Sequence, residues 1–275
     1  MNRYQHRAKF DQNHVVALDI ETVSGEEMED GAFPPWPTHM PVVASLLTAD
    51  RDAHGEWQFA LKSVRFGEDE DALERINELL RGRSCISMNG RGFDFPVLIL
   101  AAQAMRNFSL SALTAAATEN RYVSALHYDL ADKYSQYGSA RGASLAMLCE
   151  AVGVRAKVTA HGDEVGHLYD EGKINEIVEY CEGDVASTLL LYAHCRAMEI
   201  GDPAYHASLT FQFVRWIQEQ QCDHLAPFAE IDELADLVRQ SLIGQIDAAF
   251  DNARLDADLH AKRALDASFL PAVTY

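Results

Sequence analysis

An apolar run, His14 to Glu21 (HVVALDIE), is rich in β-branched and aliphatic residues and predicts a buried strand. A Ser-Gly and Pro-Pro stretch from Ser24 to Pro41 predicts a loop. Two further strands are expected at Val42 to Thr48 and Glu56 to Val64, joined as a hairpin through the Asp-rich, Gly-containing segment Ala49 to Gly55. The period then changes. Leu73, Ile76, Leu79 and Leu80 fall at helical spacing behind the acidic residues Glu68 to Asp71, and Gly82 ends that helix. Ser84 to Met88 predicts a short strand, Asn89 to Gly92 a turn, and Asp94 to Arg106 an apolar helix with Pro96 tolerated in its first turn. A last strand is expected at His127 to Leu130, with helices at Ser144 to Val152 and Ile174 to Met198. The latter reads as amphipathic through Ile174, Val178, Cys181, Val185, Leu189 and Tyr192. From Gly201 the chain reads as helical, with apolar spacing at Ile231, Leu234, Val238 and Leu242. Three strands followed by alternating helices and strands imply an α/β fold, a mixed sheet flanked by helices.

With 275 residues, 48% hydrophobic and 24% charged, the composition allows one large domain or a domain with an appendage. It excludes disorder, collagen and coiled coil. The longest apolar run, Phe95 to Ala102, is far short of the roughly 18 residues of a membrane helix, and Asp19 and Glu21 interrupt any signal-peptide pattern, so a cytoplasmic location is expected. None of the five cysteines forms a CxxC pair, which points to reduced, partly buried thiols. A net charge of −19 argues against coating nucleic acid by bulk electrostatics. Arg81 to Lys157 nevertheless carries nine Lys or Arg against five Asp or Glu, a local surplus on which a polyanion can dock if the fold gathers it.

Alternation in the first strand puts Val15, Ala17, Asp19 and Glu21 on one face and Val16, Leu18 and Ile20 on the other. Two carboxylates on a core strand either share a hard divalent cation or lie past the strand's end in solvent. Asp94, in SMNGRGFDFPVL, sits at a strand-turn-helix junction, where an acid either serves a site or caps the helix. Tyr180 and Asp184 lie four residues apart on one helical face, and Gly183 between them suggests a close approach. Each of these features alone has a plain structural explanation.

Together, and in this order, they resemble the DEDD 3′–5′ exonuclease superfamily in its subgroup with tyrosine in the third motif. The segments SMNGRGFDFPVL, HYDLADKYSQYGSARGASLAMLCEAVGV and INEIVEYCEGDVASTLLLY resemble the stand-alone exonucleases related to the proofreading domain of family B DNA polymerases, from Val15 to His206. The resemblance implies a ribonuclease-H-like mixed five-stranded sheet at 1–206, with residues 207–275 as a helical extension packed on the core or binding a protein partner. It implies two divalent ions, Mg²⁺ or Mn²⁺, held by Asp19, Glu21, Asp94 and Asp184, with Tyr180 orienting or deprotonating the attacking water. Thr22, Asn89, Phe93 and Arg91 would contact a single-stranded DNA or RNA 3′ end; Met88 stands where many relatives have His.

Asp129 reads as a helix cap or as support for the metal site. Arg141, Arg155 and Lys157 are candidates for the backbone path of the nucleic acid, or solvated charges. His161 and His167 are not expected to be ligands. Phe211, Phe213 and Trp216 read as core before stacking platform. Two other functions suit the same chain: an exoribonuclease or oligonucleotide phosphodiesterase with the same site, and a catalytically silent nucleic-acid-binding or adaptor subunit.

Overall fold

The computed structural model describes residues 10–26, 32–154, 164–230 and 236–244, and scattered positions as far as 258. Five strands, β1 (His14–Ser24), β2 (His39–Arg51), β3 (Trp57–Arg65), β4 (Ser84–Ser87) and β5 (His127–Asp129), form one mixed sheet in the order β3-β2-β1-β4-β5. β1 pairs antiparallel with β2 and parallel with β4; β2 pairs antiparallel with β3, and β4 parallel with β5. This is the ribonuclease-H-like arrangement expected, with β1 at its centre. The hairpin partner of β1 is longer than predicted: the loop before Pro41 shrinks because His39 to Pro41 continue the ladder opposite Thr22 to Ser24.

The alternation read along β1 holds. Val16, Leu18 and Ile20 pack with Ala44, Leu46 and Cys85 under helices α1 (Ala72–Leu80), α2 (Asp94–Ala104) and α3 (Ser111–Thr118). Val15 and Ala17 face the other way, with Leu47, Ile86 and Tyr128, and after α4 (Leu130–Tyr134), α5 (Leu145–Ala151) and α6 (Val165–Asp170) that face is covered by α7 (Ile174–Ile200). At about 1.5 Å per residue, α7 runs some 40 Å across the sheet.

α7 is not the amphipathic helix its spacing suggests. Residues 184–193 are buried all round, because α8 (Pro203–Gln220) and a 3₁₀ turn at Asp223–Ala229 cover its outer side. Tyr205, Leu209, Phe213, Leu225 and Phe228 belong to the same core as Val15 and Tyr128. The boundary expected at 206/207 therefore falls inside α8, and the tail aromatic Phe213 is fully buried core. Gly201, left-handed at φ 67°, ends α7, and the Asp202 side chain caps α8 through the amide of Ala204. Farther on, Leu237 and Ser241 are buried while Leu242 is exposed, so the buried face of this last helix lies one position off the predicted stripe; Ile231 and Leu234 lie outside the described residues. Cys85, Cys149 and Cys181 are buried and Cys195 and Cys222 half-buried, all as free thiols. Among the described residues no helix is long and apolar enough to cross a membrane.

Candidate active site

The site forms where the carboxyl end of β1 meets the start of α2 and the middle of α7. β1 brings Asp19 and Glu21 to its α7 side. The register with β2 shifts between Glu21 and Thr22, a bulge that turns both Val42 and Val43 into the small core formed with Leu168, Ile177, Tyr180 and Cys181. Tyr180 and Asp184, one helical turn apart on α7, face the same place and are buried. Asp94 opens α2 as its first residue, with Phe93 at the cap position, so it is a first-turn acid rather than the cap. Glu21, Asp94 and Asp184 are 8%, 5% and 9% exposed, which leaves this group of acids almost out of water.

The electrostatics record that crowding. Burial first, then the charges of Asp184, Asp94 and Glu21, push the Asp19 carboxyl well above the ordinary carboxylate range. Burial raises Asp94 to about 7, against the opposing hydrogen bonds of its own amide and that of Ile20. Burial and the neighbouring carboxylates push the Tyr180 phenol upward too, so its hydroxyl is a donor and not a base at neutral pH. Ionising Asp19 and Asp94 together needs a compensating positive charge. Ligand atoms of Asp19, Glu21 and Cys181 lie within 4.8 Å of one another, close enough for one ion. Cys181 is poorly suited to that role: burial raises its pKa, and its thiol donates to the carbonyl and the carboxylate of Asp19 (3.4 and 3.6 Å). The oxygen ligands Asp19 and Glu21, with Asp94 and Asp184 within electrostatic reach, fit a hard divalent cation.

The turn that delivers Asp94 is held from β5. Asp129 accepts from the amides of Asn89 (2.9 Å) and Arg91 (3.0 Å) and from Ala131, capping α4 with the same carboxylate. Asn89 takes a left-handed backbone (φ 64°), and Gly90 packs so closely that a Cβ there would lie 2.3 Å from Ser87 Oγ. Ser87 in turn bonds His127 (2.7 Å), whose burial lowers its pKa to about 3 and keeps the ring neutral. Gly90→Ala is expected to destabilise the fold by about 1–3 kcal/mol through overpacking. Urea unfolding would show it, and an unchanged midpoint would contradict the tight approach.

Of the groups expected to meet substrate, Thr22 and Phe93 flank the acids: Thr22 Oγ1 bonds His39 Nδ1 (2.7 Å) and the Phe93 ring meets that imidazole edge-on. Asn89 is exposed at the turn. Arg91 points elsewhere, donating to the carbonyls of Glu119 and His127 and pairing with Asp132, which also pairs with Arg121. Much of the basic surplus is used in this way: Arg83 binds Asp50 and Lys133 binds Glu199. Arg141 is exposed, His167 pairs with Glu171, and Arg155, Lys157 and His161 lie outside the described residues. Beyond its own helical neighbours, nothing among the described residues comes within 4 Å of a Cβ at Gly183, so the close approach expected there is not made by them.

Over residues 31–231 the chain matches a family model described as a predicted 3′–5′ exonuclease related to the exonuclease domain of PolB. The chain belongs to this exonuclease family. The match takes in Asp94, Tyr180 and Asp184, and it extends through α8 and the 3₁₀ turn. Asp19 and Glu21 precede the matched residues, and it is the geometry of β1 that brings them beside Asp94 and Asp184. Among curated proteins no match was found.

Proposed function

We propose that the protein is a metal-dependent 3′–5′ exonuclease that hydrolyses the terminal phosphodiester of single-stranded nucleic acid, DNA in the first place, and releases nucleoside monophosphates. The observation that carries this reading is the gathering of Glu21, Asp94 and Asp184 around the half-buried Asp19, with Tyr180 beside them. Asp19, Glu21, Asp94 and Asp184 would hold two divalent ions, Mg²⁺ or Mn²⁺. Such ions supply a water nucleophile at neutral pH and neutralise the phosphate and the departing 3′ oxygen. The chain's own part is to keep four carboxylates dry and deprotonated in the loaded state, and to hold the Tyr180 hydroxyl where it donates to the attacking water or the phosphate. Asp129 keeps the Asp94 turn in position, and Thr22 and Phe93 border the place of the last nucleotide.

The test offers matched 5′-labelled DNA and RNA single strands with Mg²⁺, Mn²⁺ or EDTA. A ladder shortening from the 3′ end, stopped by EDTA, is expected, and the faster substrate assigns the sugar preference. No shortening by folded protein with either metal would move the assignment to the binding-subunit reading. Tyr180→Phe is expected to lower kcat about 10- to 100-fold, the loss of one hydrogen bond to a charged group, while leaving metal binding intact. An unchanged kcat would remove the hydroxyl from the mechanism.

A further inference from the structure

On the β5 side of the turn that delivers Asp94, the surface carries two aromatic rings that belong to none of the hydrophobic cores formed by the described residues. Tyr122 is 69% exposed, and its ring meets that of Tyr137 with centroids 4.9 Å apart. The Arg121 guanidinium lies over the Tyr137 ring, 5.8 Å from its centroid. The backbone is strained to hold Tyr137 there. Gln136 and Tyr137 both take the left-handed conformation (φ 50° and 57°), which a side chain with a Cβ disfavours, and Gly138 follows at φ 94°. Three amides keep the turn closed: Tyr137 donates to the Asp132 carbonyl (2.7 Å), Ala140 to the Ser135 carbonyl (2.8 Å) and Gly138 to Ser135 Oγ (2.9 Å). Arg121 is fixed in turn by Asp132, which also pairs with Arg91, so two ion pairs tie the rings to the Asp94 turn. Between the two lies a recess of about 220 Å³ that reaches from Met88, next to Asn89, past Ala131, Tyr134 and Leu148 to Gly138 and Arg141. Arg141 is exposed and donates to the Gly138 carbonyl (3.4 Å), with no acid paired to it among the described residues. The carboxylates nearby are engaged: Glu119 accepts from the amides of Ala125, Leu126 and His127, and Asp132 holds two arginines.

We propose that Tyr122, Tyr137 and Arg121 form a ledge that grips the body of the substrate strand several nucleotides before its 3′ end, with the recess and Arg141 along the way from the acids. The inference rests on the exonuclease reading and adds to it a preference by length. A strand long enough to reach the ledge is held at two places, and a short oligonucleotide at one. Open tyrosine rings offer a flat face to any base, so the grip is indifferent to sequence. Arg121 and Arg141 meet the phosphates between the two holds. Because the second hold follows the first within one molecule, it lowers KM without entering the chemical step. Stacking also suits a chain of net charge −19, which attracts no polyanion by its overall field.

The test compares a 5′-labelled trinucleotide with a strand of about 12 nucleotides that has the same 3′ end. For the wild type, KM is expected to be about tenfold lower on the longer strand, the equivalent of one stacked base. Tyr122→Ala should bring the KM of the longer strand close to that of the trinucleotide and leave kcat on the trinucleotide unchanged. Tyr122→Phe keeps the ring and should keep the preference. So should Phe108→Ala, which removes a ring 79% exposed beyond the far end of α2. Equal KM values for the two lengths in the wild type, or an undiminished preference in Tyr122→Ala, would overturn the ledge. A second readout needs no turnover: in EDTA, the fluorescence anisotropy of the longer strand should give a Kd about tenfold weaker for Tyr122→Ala than for the wild type. Equal Kd values also overturn the ledge. A Kd that depends on Tyr122 without metal-dependent shortening retains the ledge and discards the exonuclease reading, and shortening with no preference for length does the reverse.

Discussion

Asp19→Asn is expected to lower 3′-end shortening by about 10³-fold or more while raising the melting temperature of the metal-free protein at pH 8. The two effects have one cause. In the proposed metal site Asp19 would be a ligand at the centre of four acids, and losing it would remove several kcal/mol of transition-state charge stabilisation. In the metal-free protein the same carboxylate lies among Asp184, Asp94 and Glu21, each of which opposes its ionisation. Asparagine keeps the shape and an acceptor for the Cys181 thiol but carries no charge. As pH falls and the raised wild-type carboxyl takes up its proton, the difference in melting temperature should shrink. Turnover within tenfold of wild type, or a variant that melts lower in EDTA at pH 8, would break the link between crowding and chemistry.

The second large effect concerns metal and proton together. The folded-state pKa of Asp94, about 7, stands above its ordinary 3.8, and that of Asp19 is also raised. A group raised in the folded state contributes stability below its unfolded pKa and loses it as pH climbs through the folded value. The metal-free protein should therefore lose stability between about pH 4 and pH 7 at this site. Cations reverse the trend, because they bind the deprotonated form and displace protons. At a free Mn²⁺ or Mg²⁺ concentration about 100 times Kd, the melting temperature at pH 8 should rise by about 5–10 °C. Below pH 7 the apparent affinity should weaken by about tenfold per pH unit for each proton displaced. Calorimetric titration in buffers of different ionisation enthalpy would count those protons. A metal response that is the same at pH 6 and pH 8 would rule out protonated carboxyls as the resting state.

How far the site was legible depends on how local its signals are. The two-residue period of β1 suffices to put Asp19 and Glu21 on one face, and the four-residue spacing of Tyr180 and Asp184 does the same on α7. Both are geometric properties of a single element. What escaped needed contacts between elements. Cys181 lies on the neighbouring stripe, with Val178 and Val185, and its bond to Asp19 depends on the angle at which α7 crosses β1. Arg91 reads as a substrate contact until β5 and Asp132 come beside it. α3, SALTAAAT, carries no strong periodic stripe and no side-chain cap, and its place is set by packing on α1 and α2. The amphipathic reading of α7 failed because the chain after Gly201 supplies the cover that solvent was expected to supply. His39, which meets Thr22 and Phe93 beside the acids, was hidden in a proline-rich stretch that reads as plain loop.

The cover over α7 also bears on the order in which the enzyme comes into being. Glu182, beside the site on α7, holds Ser63 of β3 (2.6 Å) on one side and His224 of the 3₁₀ turn (2.7 Å) on the other. Asp19 leaves the ribosome 165 residues before Asp184, and the turn that clasps Glu182 comes later still. A partly made chain thus holds three of the four acids and lacks the helix that carries the fourth. With folding running from the amino end during synthesis, the four acids can come together only after α7 and the turn that clasps Glu182 have left the ribosome.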